Sequence, residues 1–360
     1  MAKNRVGLYS VLKCNAHTYD ATSVSGLLKR VNEQRVLALA DSLAAYIVKN
    51  LPTAIDKRKG LGDYRANPYV LLTSASIMHL SDPQAFADFL FNNKLYMGLE
   101  TSFGKSIETA FVSHYPVATQ AKWEDAQEKL AEFAGLQGLS AEQKARERVS
   151  SVWREIDKSC VIDNRRYLVS IKSGPNCIND TQVAGMVTAI ANNYRSWLQQ
   201  TRENYPNVNE LDIVIGLTYG TDLTTNNKEN QILAKLQEHG FTEEDREKKP
   251  GVLIDGTGEV RVYRCIGQEF WSFIGDPVNP PKAGHVFLEV LLALARALSQ
   301  GMKNASLEDR VNAKLAQLSD ALRNMMFPRD SLPEWIRKDF SEDELFWLAT
   351  AMTAFFDKGI

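Results

Sequence analysis

The residues with the clearest chemical meaning lie on a predicted β-hairpin. Apolar residues alternate on either side of Asp163 and Asn164, a pair that favours a tight turn between two strands. Glu155 and Asp157 belong to the first predicted strand and share a face, because strand residues two apart point the same way. Lys172 ends the second. A carboxylate and an ammonium group held together at strand ends can bind a divalent cation and stabilise the same phosphate, which is the chemistry of phosphodiester hydrolysis.

The spacing of Asp157, twelve residues, then Ser170-x-Lys172 resembles the PD-(D/E)XK nuclease core, in particular that of type II restriction endonucleases. In that family an aspartate forms the first half of the motif, and an acidic residue, any residue and a lysine form the second. Ile156 stands where proline often precedes the aspartate, and Ser170 stands where an acidic residue is usual. The resemblance implies a Mg²⁺-dependent enzyme in which Asp157 ligates the cation and Lys172 orients the attacking water. One metal ligand is then missing at Ser170.

Several residues are candidates to complete the metal site. Some enzymes of the resembled superfamily carry serine at this position and recruit a carboxylate from the following helix. Asp180 is the nearest such candidate, and Glu155 of the first predicted strand is the other candidate. The family also often supplies a glutamate from the helix before the sheet, which points to Glu108; the alternative is a solvated glutamate stabilised by a helix dipole. The carbonyl of Ile171 is a further candidate, since Mg²⁺ accepts oxygen donors.

Three segments carry the side chains predicted to contact DNA. Lys105 is predicted to bind a phosphate at a helix N-terminus, where backbone amides favour anions. The other two are the polar segment after Lys172 and the polar loop after the strand at 211–219, because amide side chains pair with base edges and lysine with phosphate. Their candidate residues are Asn176, Asn179, Asp180, Thr181, Gln182, Thr221, Thr224, Asn226 and Lys228. The competing interpretations are helix capping by Asn179 or Asp180 and an ordinary surface loop.

Composition restricts the function classes without selecting one. The formal net charge of −2 over 360 residues provides no global basic field, although a local basic cleft remains compatible with DNA binding. The four cysteines show no CxxC spacing, so neither zinc nor a disulfide framework is indicated. Gly98 is one residue too far from Gly104 for a phosphate-binding GxxxxGK[ST] loop, so no nucleotide triphosphate is expected. We expect a cytoplasmic protein without a signal peptide or membrane span.

The periodicity predicts an α/β protein. It has a mixed central β-sheet of the restriction-endonuclease-like type flanked by helices, with additional N- and C-terminal helical segments. Strands are predicted at 151–157, 166–172, 211–219 and 259–265. Helices are predicted at 27–51, 68–79, 82–91, 104–114, 122–133, 181–199, 286–298, 307–326 and 343–356. The expected regions are a helical N-terminal region for dimerisation or DNA contact, an α/β nuclease core and a C-terminal helical region packed on the core, spanning 1–97, 98–280 and 281–360.

The resemblance implies a sequence-specific endonuclease that cleaves double-stranded DNA and acts as a homodimer, because a symmetric dimer matches palindromic DNA. Two other classes stay open. One is a nuclease-fold enzyme of DNA repair or of another defence system. The other is a non-catalytic helical DNA-binding or scaffold protein, in which the hairpin is only structural.

Overall fold

The structure is a computed structural model that describes most of the chain between residues 21 and 352. The described residues are 21–57, 64, 67–107, 121–126, 128–129, 140, 142–143, 155–174, 177–244, 251–325, 330 and 332–352. Within them, seven strands form one sheet. The strands are β1 (Glu124–Asp125), β2 (Lys158–Ile162), β3 (Arg165–Lys172), β4 (Glu210–Leu217), β5 (Thr242–Glu243), β6 (Leu253–Ile254) and β7 (Val260–Ile266).

The sheet is mixed, with a parallel centre and antiparallel edges. Its spatial order is β1-β2-β3-β4-β7-β6-β5. Strands β3, β4 and β7 run parallel, whereas β1, β2, β5 and β6 join by antiparallel pairing. β4 is buried along almost its whole length, as expected for a central strand covered on both faces. The predicted fold class is therefore confirmed.

Eleven helices are assigned within the described residues. They are α1 (Ala21–Leu28), α2 (Glu33–Asp56), α3 (Pro68–Met78), α4 (Pro83–Ser106), α5 (Asp180–Asn204), α6 (Lys228–Glu238), α7 (Gln268–Gly275), α8 (Val286–Ala305), α9 (Leu307–Arg323), α10 (Glu334–Asp339) and α11 (Glu342–Met352). A short 3₁₀ helix also spans Pro280–Ala283. In the same part of the chain, no helix is both long enough and apolar enough to cross a membrane.

Helices cover both faces of the sheet. On one face, apolar residues of α5 and α6 pack on strand residues such as Leu168, Ile213 and Ile215. On the other face, the Phe273 ring of α7 lies 5.7 Å from the Tyr167 ring and 6.3 Å from the Tyr263 ring, measured between centroids. Because strand side chains alternate between faces, Ser170 and Lys172 lie on the face that α5 covers.

The chain divides into two compact units, each made of two segments. One comprises Met1–Ala40 and Phe103–Leu294 and contains the sheet; the other comprises Asp41–Ser102 and Ala295–Ile360. The second unit is helical where it is described and has its own core, in which the Trp347 indole donates a hydrogen bond to the Leu80 carbonyl over 2.9 Å. The three consecutive regions predicted from the sequence remain a prediction.

The first strand of the hairpin lies further along the chain than predicted. The predicted strand covers 151–157, but β2 begins at Lys158, and residues 155–157 form a turn and an extended segment. The physical reason is that β2 is buried at nearly every position, so its residues lack the alternation that marks a half-exposed strand. The turn at Asp163 and Asn164 is confirmed, with Asp163 in the left-handed region at φ 54°.

One predicted helix near the N-terminus has different boundaries. The predicted helix at 27–51 is two helices, α1 and α2, and α2 continues through Pro52 to Asp56. Its buried stripe of Leu43, Ile47 and Ile55 runs past the proline, so packing outweighs the lost backbone hydrogen bond.

The helical prediction for 122–133 is also wrong at its start. Residues Glu124–Asp125 form an edge strand that pairs with β2, because their backbone groups complete the ladder of Lys158 and Ser159.

Candidate active site at the end of the hairpin

Asp157 is fixed at the point where β2 begins. Its N–H donates to the Val169 carbonyl over 2.8 Å, and its own carbonyl accepts from the Ala126 N–H over 3.1 Å. The carboxylate turns toward the end of β3, where Oδ2 accepts a hydrogen bond from the Ile171 N–H over 2.6 Å. The structure thus brings the Asp157 carboxylate to the backbone next to Lys172.

Lys172 ends β3 and contacts a second carboxylate. Its Nζ lies 3.5 Å from Oε2 of Glu155, and the two side chains are 16% and 20% exposed. Its carbonyl accepts from the Thr218 N–H over 3.0 Å, which ties the end of β3 to β4. Asp157, Lys172 and Glu155 therefore gather at the carboxyl end of a parallel strand, where α/β sheets commonly bind ligands.

Ser170 occupies the position where the resembled family carries an acidic residue. Its side chain is 1% exposed, and among the described residues its Oγ has no hydrogen-bonding partner. The β2–β3 ladder pairs Lys158 with Val169, the neighbour of Ser170, and the Asp157 N–H bonds the carbonyl of that same Val169. A buried hydroxyl without a partner is costly in a protein interior, and such groups are often found where a ligand or water binds.

The residues present fit a hydrated divalent cation. Among the described residues, no cluster of three or more histidine, cysteine or acidic side chains has the arrangement of a metal cage. Mg²⁺ does not require one, because it is commonly held by one or two carboxylates together with waters and substrate phosphates. Asp157 and Glu155 are the carboxylates available at this place. Glu108 lies outside the described residues, and the metal-binding roles of Glu108 and Ile171 remain predictions.

The polar segment after Lys172 caps the helix that follows it. Asn179 accepts a hydrogen bond from the Gln182 N–H over 2.9 Å, and the Gln182 side chain accepts from the Asn179 N–H over 2.9 Å. This reciprocal pair is a capping box, so the capping interpretation is confirmed for Asn179. Asp180 is 85% exposed and forms an ion pair with Lys228. Thr181 is exposed in the first turn of α5.

The loop after β4 is joined to the start of α5. The Asn226 side-chain amide donates to the Ile178 carbonyl over 3.1 Å, and Lys228 adds its ion pair with Asp180. Thr221 and Thr224 form a local turn, in which the Thr221 N–H donates to Thr224 Oγ1 over 2.8 Å. These bonds show an ordered polar surface loop. DNA contact by these residues remains a prediction, and Asn176 lies outside the described residues.

The prediction that Lys105 stands at a helix N-terminus is wrong. The helix expected to begin near Gly104 is instead the end of α4, which runs from Pro83 to Ser106. Lys105 therefore lies in the last turn of α4 as described, where the helix dipole disfavours an anion. Gly104 contacts the segment after Lys172, because a Cβ there would lie only 2.8 Å from Cβ of Ser173.

A polar cluster that the sequence analysis missed lies after β4 and at the end of β7. Arg264 of β7 forms an ion pair with Asp222 at 2.5 Å, and Glu269 lies nearby in the first turn of α7. Burial, together with the Asp222 charge, raises the pKa of Glu269 from 4.5 to about 7, against the opposing effect of Arg264. Sequence alone holds little signal for such a group, because the shift depends on burial.

Glu269 predicts a pH dependence of stability. A carboxyl group whose pKa is raised on folding binds protons more tightly in the folded state. We therefore expect its contribution to the free energy of unfolding to fall as pH rises from about 4.5 to about 7. At pH 8, Glu269→Gln should be more stable than the wild type by on the order of 3 kcal/mol, and at pH 4 the two should be alike. Urea unfolding at both values checks this, and an equal difference at both would contradict it.

Comparison with known proteins supports the interpretation of the hairpin. No curated protein matches this chain. Residues 128–290, which contain β2, β3, β4 and β7, match the model of a family described as type II restriction endonuclease EcoO109I. The resemblance carried by Asp157 and Lys172 is thus confirmed: over residues 128–290 this chain matches a type II restriction endonuclease family, consistent with a PD-(D/E)XK core.

Proposed function

We propose that this protein is a type II restriction enzyme, a Mg²⁺-dependent endonuclease that cleaves double-stranded DNA at a specific sequence. The family match supports the coarser class, a nuclease of the restriction endonuclease kind. The observation that carries the finer proposal is the 2.6 Å hydrogen bond from the Ile171 N–H to the Asp157 carboxylate. It fixes a metal-binding group one residue from the motif lysine.

In the proposed mechanism, the chain positions groups around the scissile phosphate. Asp157 and Glu108 would hold the cation, with the carbonyl of Ile171 as a further ligand. A bound Mg²⁺ supplies Lewis acidity to a phosphate oxygen and lowers the pKa of a bound water. Lys172 orients the attacking water, and its ammonium stabilises the negative charge that develops on the phosphate oxygens. Ser170 lines the same face of β3.

The DNA contacts are proposed at the surface beside this site. Lys228 and Asn226 follow β4, and Asn176, Thr181 and Gln182 follow β3, so both segments stand at the carboxyl ends of parallel strands. Asn179, Asp180, Thr221 and Thr224 belong to the same two segments. Because Asn179 and Asp180 already hold bonds in the free protein, their use in DNA binding requires exchange of those bonds. Lys105 is not retained as a phosphate contact at a helix N-terminus.

We further propose that the enzyme acts as a homodimer on palindromic sites without a nucleotide triphosphate, since two-fold symmetry in the protein matches two-fold symmetry in DNA. The test is to incubate purified protein with a plasmid in Mg²⁺ or EDTA and to sequence the ends of the products. Cleavage at one short sequence supports the proposal. Mg²⁺-dependent cutting at unrelated sequences points to repair or another defence function, and binding without cutting points to a non-catalytic protein.

Lys172 provides a prediction for this reaction. Lys172→Met removes the ammonium group and keeps most of the side-chain length, so we expect DNA cleavage to slow by about 10²- to 10³-fold, the usual cost of losing one stabilising group for transition-state charge. Single-turnover cleavage of a short duplex measures this. A variant that cleaves at the wild-type rate would remove Lys172 from the mechanism.

A further inference from the structure

We infer that Glu155 supplies the carboxylate that the cation site lacks at Ser170, in addition to Asp157 and the proposed ligand Glu108. The inference rests on the proposed function and goes beyond it by choosing between the two candidate carboxylates, Glu155 and Asp180. The choice matters because they lie on different elements: Glu155 precedes β2, and Asp180 begins α5.

Glu155 already reaches the place where the missing ligand is needed. Its Oε2 lies 3.5 Å from Nζ of Lys172. Its Oε1 lies 4.0 Å from the position that a Cβ on Gly185 would take, so the carboxylate extends over α5. The helix α5 covers the face of the sheet that carries Ser170 and Lys172. Glu155 therefore reaches the site from the same face as the acidic residue that the family carries at the position of Ser170.

Asp180 is held elsewhere. Its carboxylate is exposed and paired with Lys228, which belongs to the first turn of α6. That ion pair joins the start of α5 to the loop after β4. Recruiting Asp180 into the site would take it away from Lys228, whereas the Glu155 carboxylate already lies 3.5 Å from the ammonium of the motif lysine.

Ser170 provides the independent observation that something binds here. Its hydroxyl is buried and has no partner among the described residues, and it follows Val169, whose carbonyl accepts a hydrogen bond from the Asp157 N–H. A serine is shorter than an aspartate or glutamate and carries no negative charge. Its hydroxyl is then satisfied by a water molecule of the ion's shell, as small hard cations keep several waters.

Glu155 has a partner in each state: the Lys172 ammonium, 3.5 Å away, in the free protein and the cation when it binds.

The test is direct measurement of Mn²⁺ binding by the electron paramagnetic resonance signal of the free ion, without DNA. We expect Glu155→Gln to weaken Mn²⁺ affinity by about 10- to 100-fold, comparable to the loss of a group that supports a metal site. Asp180→Asn should bind as the wild type does. The control is Asp163→Asn, at the opposite end of the same hairpin, where asparagine tolerates the left-handed backbone. Placing the acid back, with Ser170→Asp in the Glu155→Gln background, should restore binding.

Three outcomes would overturn the inference. They are unchanged affinity in Glu155→Gln, loss of affinity in Asp180→Asn instead, and slower DNA cleavage by Glu155→Gln with unchanged Mn²⁺ affinity. The last would mean that Glu155 only holds Lys172. Failure of the proposed function is distinguishable from failure of this inference. A wild-type protein that binds Mn²⁺ through Glu155 but cuts no DNA would support the cation site and contradict the nuclease proposal.

Discussion

Asp157→Asn is expected to slow DNA cleavage by about 10³-fold or more while leaving the protein folded. In the wild type the Ile171 N–H donates to the Asp157 carboxylate over 2.6 Å. An asparagine side-chain oxygen can accept the same hydrogen bond, so the local structure should be kept. What is lost is the negative charge that we propose binds the cation. The Lewis acidity that depends on it is worth several kcal/mol, and each 1.4 kcal/mol changes a rate about tenfold. Single-turnover cleavage at saturating protein measures the effect.

The matched control for this prediction is Asp163→Asn, the same chemical change at the opposite end of the hairpin. Asparagine is accepted in the left-handed conformation of residue 163, so both folding and cleavage should be unchanged. Equal rates for the Asp157→Asn variant and the wild type, in the presence of Mg²⁺, would show that the carboxylate is not part of the reaction.

The second large effect is on stability. Asp212→Ala should lower the free energy of unfolding of the sheet-containing unit by about 3–5 kcal/mol. Asp212 is 3% exposed, and its carboxylate accepts hydrogen bonds from Arg165 Nη1 at 3.1 Å and from the Tyr263 hydroxyl at 3.0 Å. Removal leaves the hydroxyl buried without this acceptor and deprives the arginine of one of its two carboxylates, the other being Glu210. Urea unfolding measures the loss.

A control variant, together with the distance of Asp212 from Lys172, distinguishes the loss of stability from a loss of catalysis. Glu259→Gln breaks a largely exposed ion pair with Arg202 and should change stability by at most about 1 kcal/mol. The β3–β4 register pairs Asp212 with Tyr167, five residues before Lys172, which is roughly 17 Å along a strand. Folded Asp212→Ala protein should therefore cleave DNA normally at low temperature. An unfolding midpoint equal to that of the wild type would contradict the proposed role of the network.

The sequence predicted the parts of the fold that have strong local patterns. The turn at Asp163 and Asn164, the buried run of β4 and the long helix α5 were predicted because turn chemistry and hydrophobic periodicity determine them locally. The short strands β1, β5 and β6 were missed. Each has two residues and is defined by backbone hydrogen bonds to its neighbour, so it has no periodicity to detect.

The parts of the candidate site that lie close together in the sequence could be predicted, and the parts that depend on tertiary packing could not. The Asp157 carboxylate bonds to the backbone next to Lys172 because one hairpin carries both residues. Their spacing along the chain indicates that hairpin. The choice between Glu155 and Asp180 depended on which ion pairs form, and that follows from tertiary packing. Lys105 was misplaced because glycines suggested a helix start, whereas α4 continues to Ser106.

One measurement tests the central claim most directly: Mg²⁺-dependent cleavage of a plasmid by the wild type and by the double variant Asp157→Asn with Lys172→Met. The hairpin account predicts discrete fragments from the wild type, none from the double variant, and normal fragments from Asp163→Asn. Identical fragments from the wild type and the double variant would place the reaction elsewhere in the molecule and contradict the account.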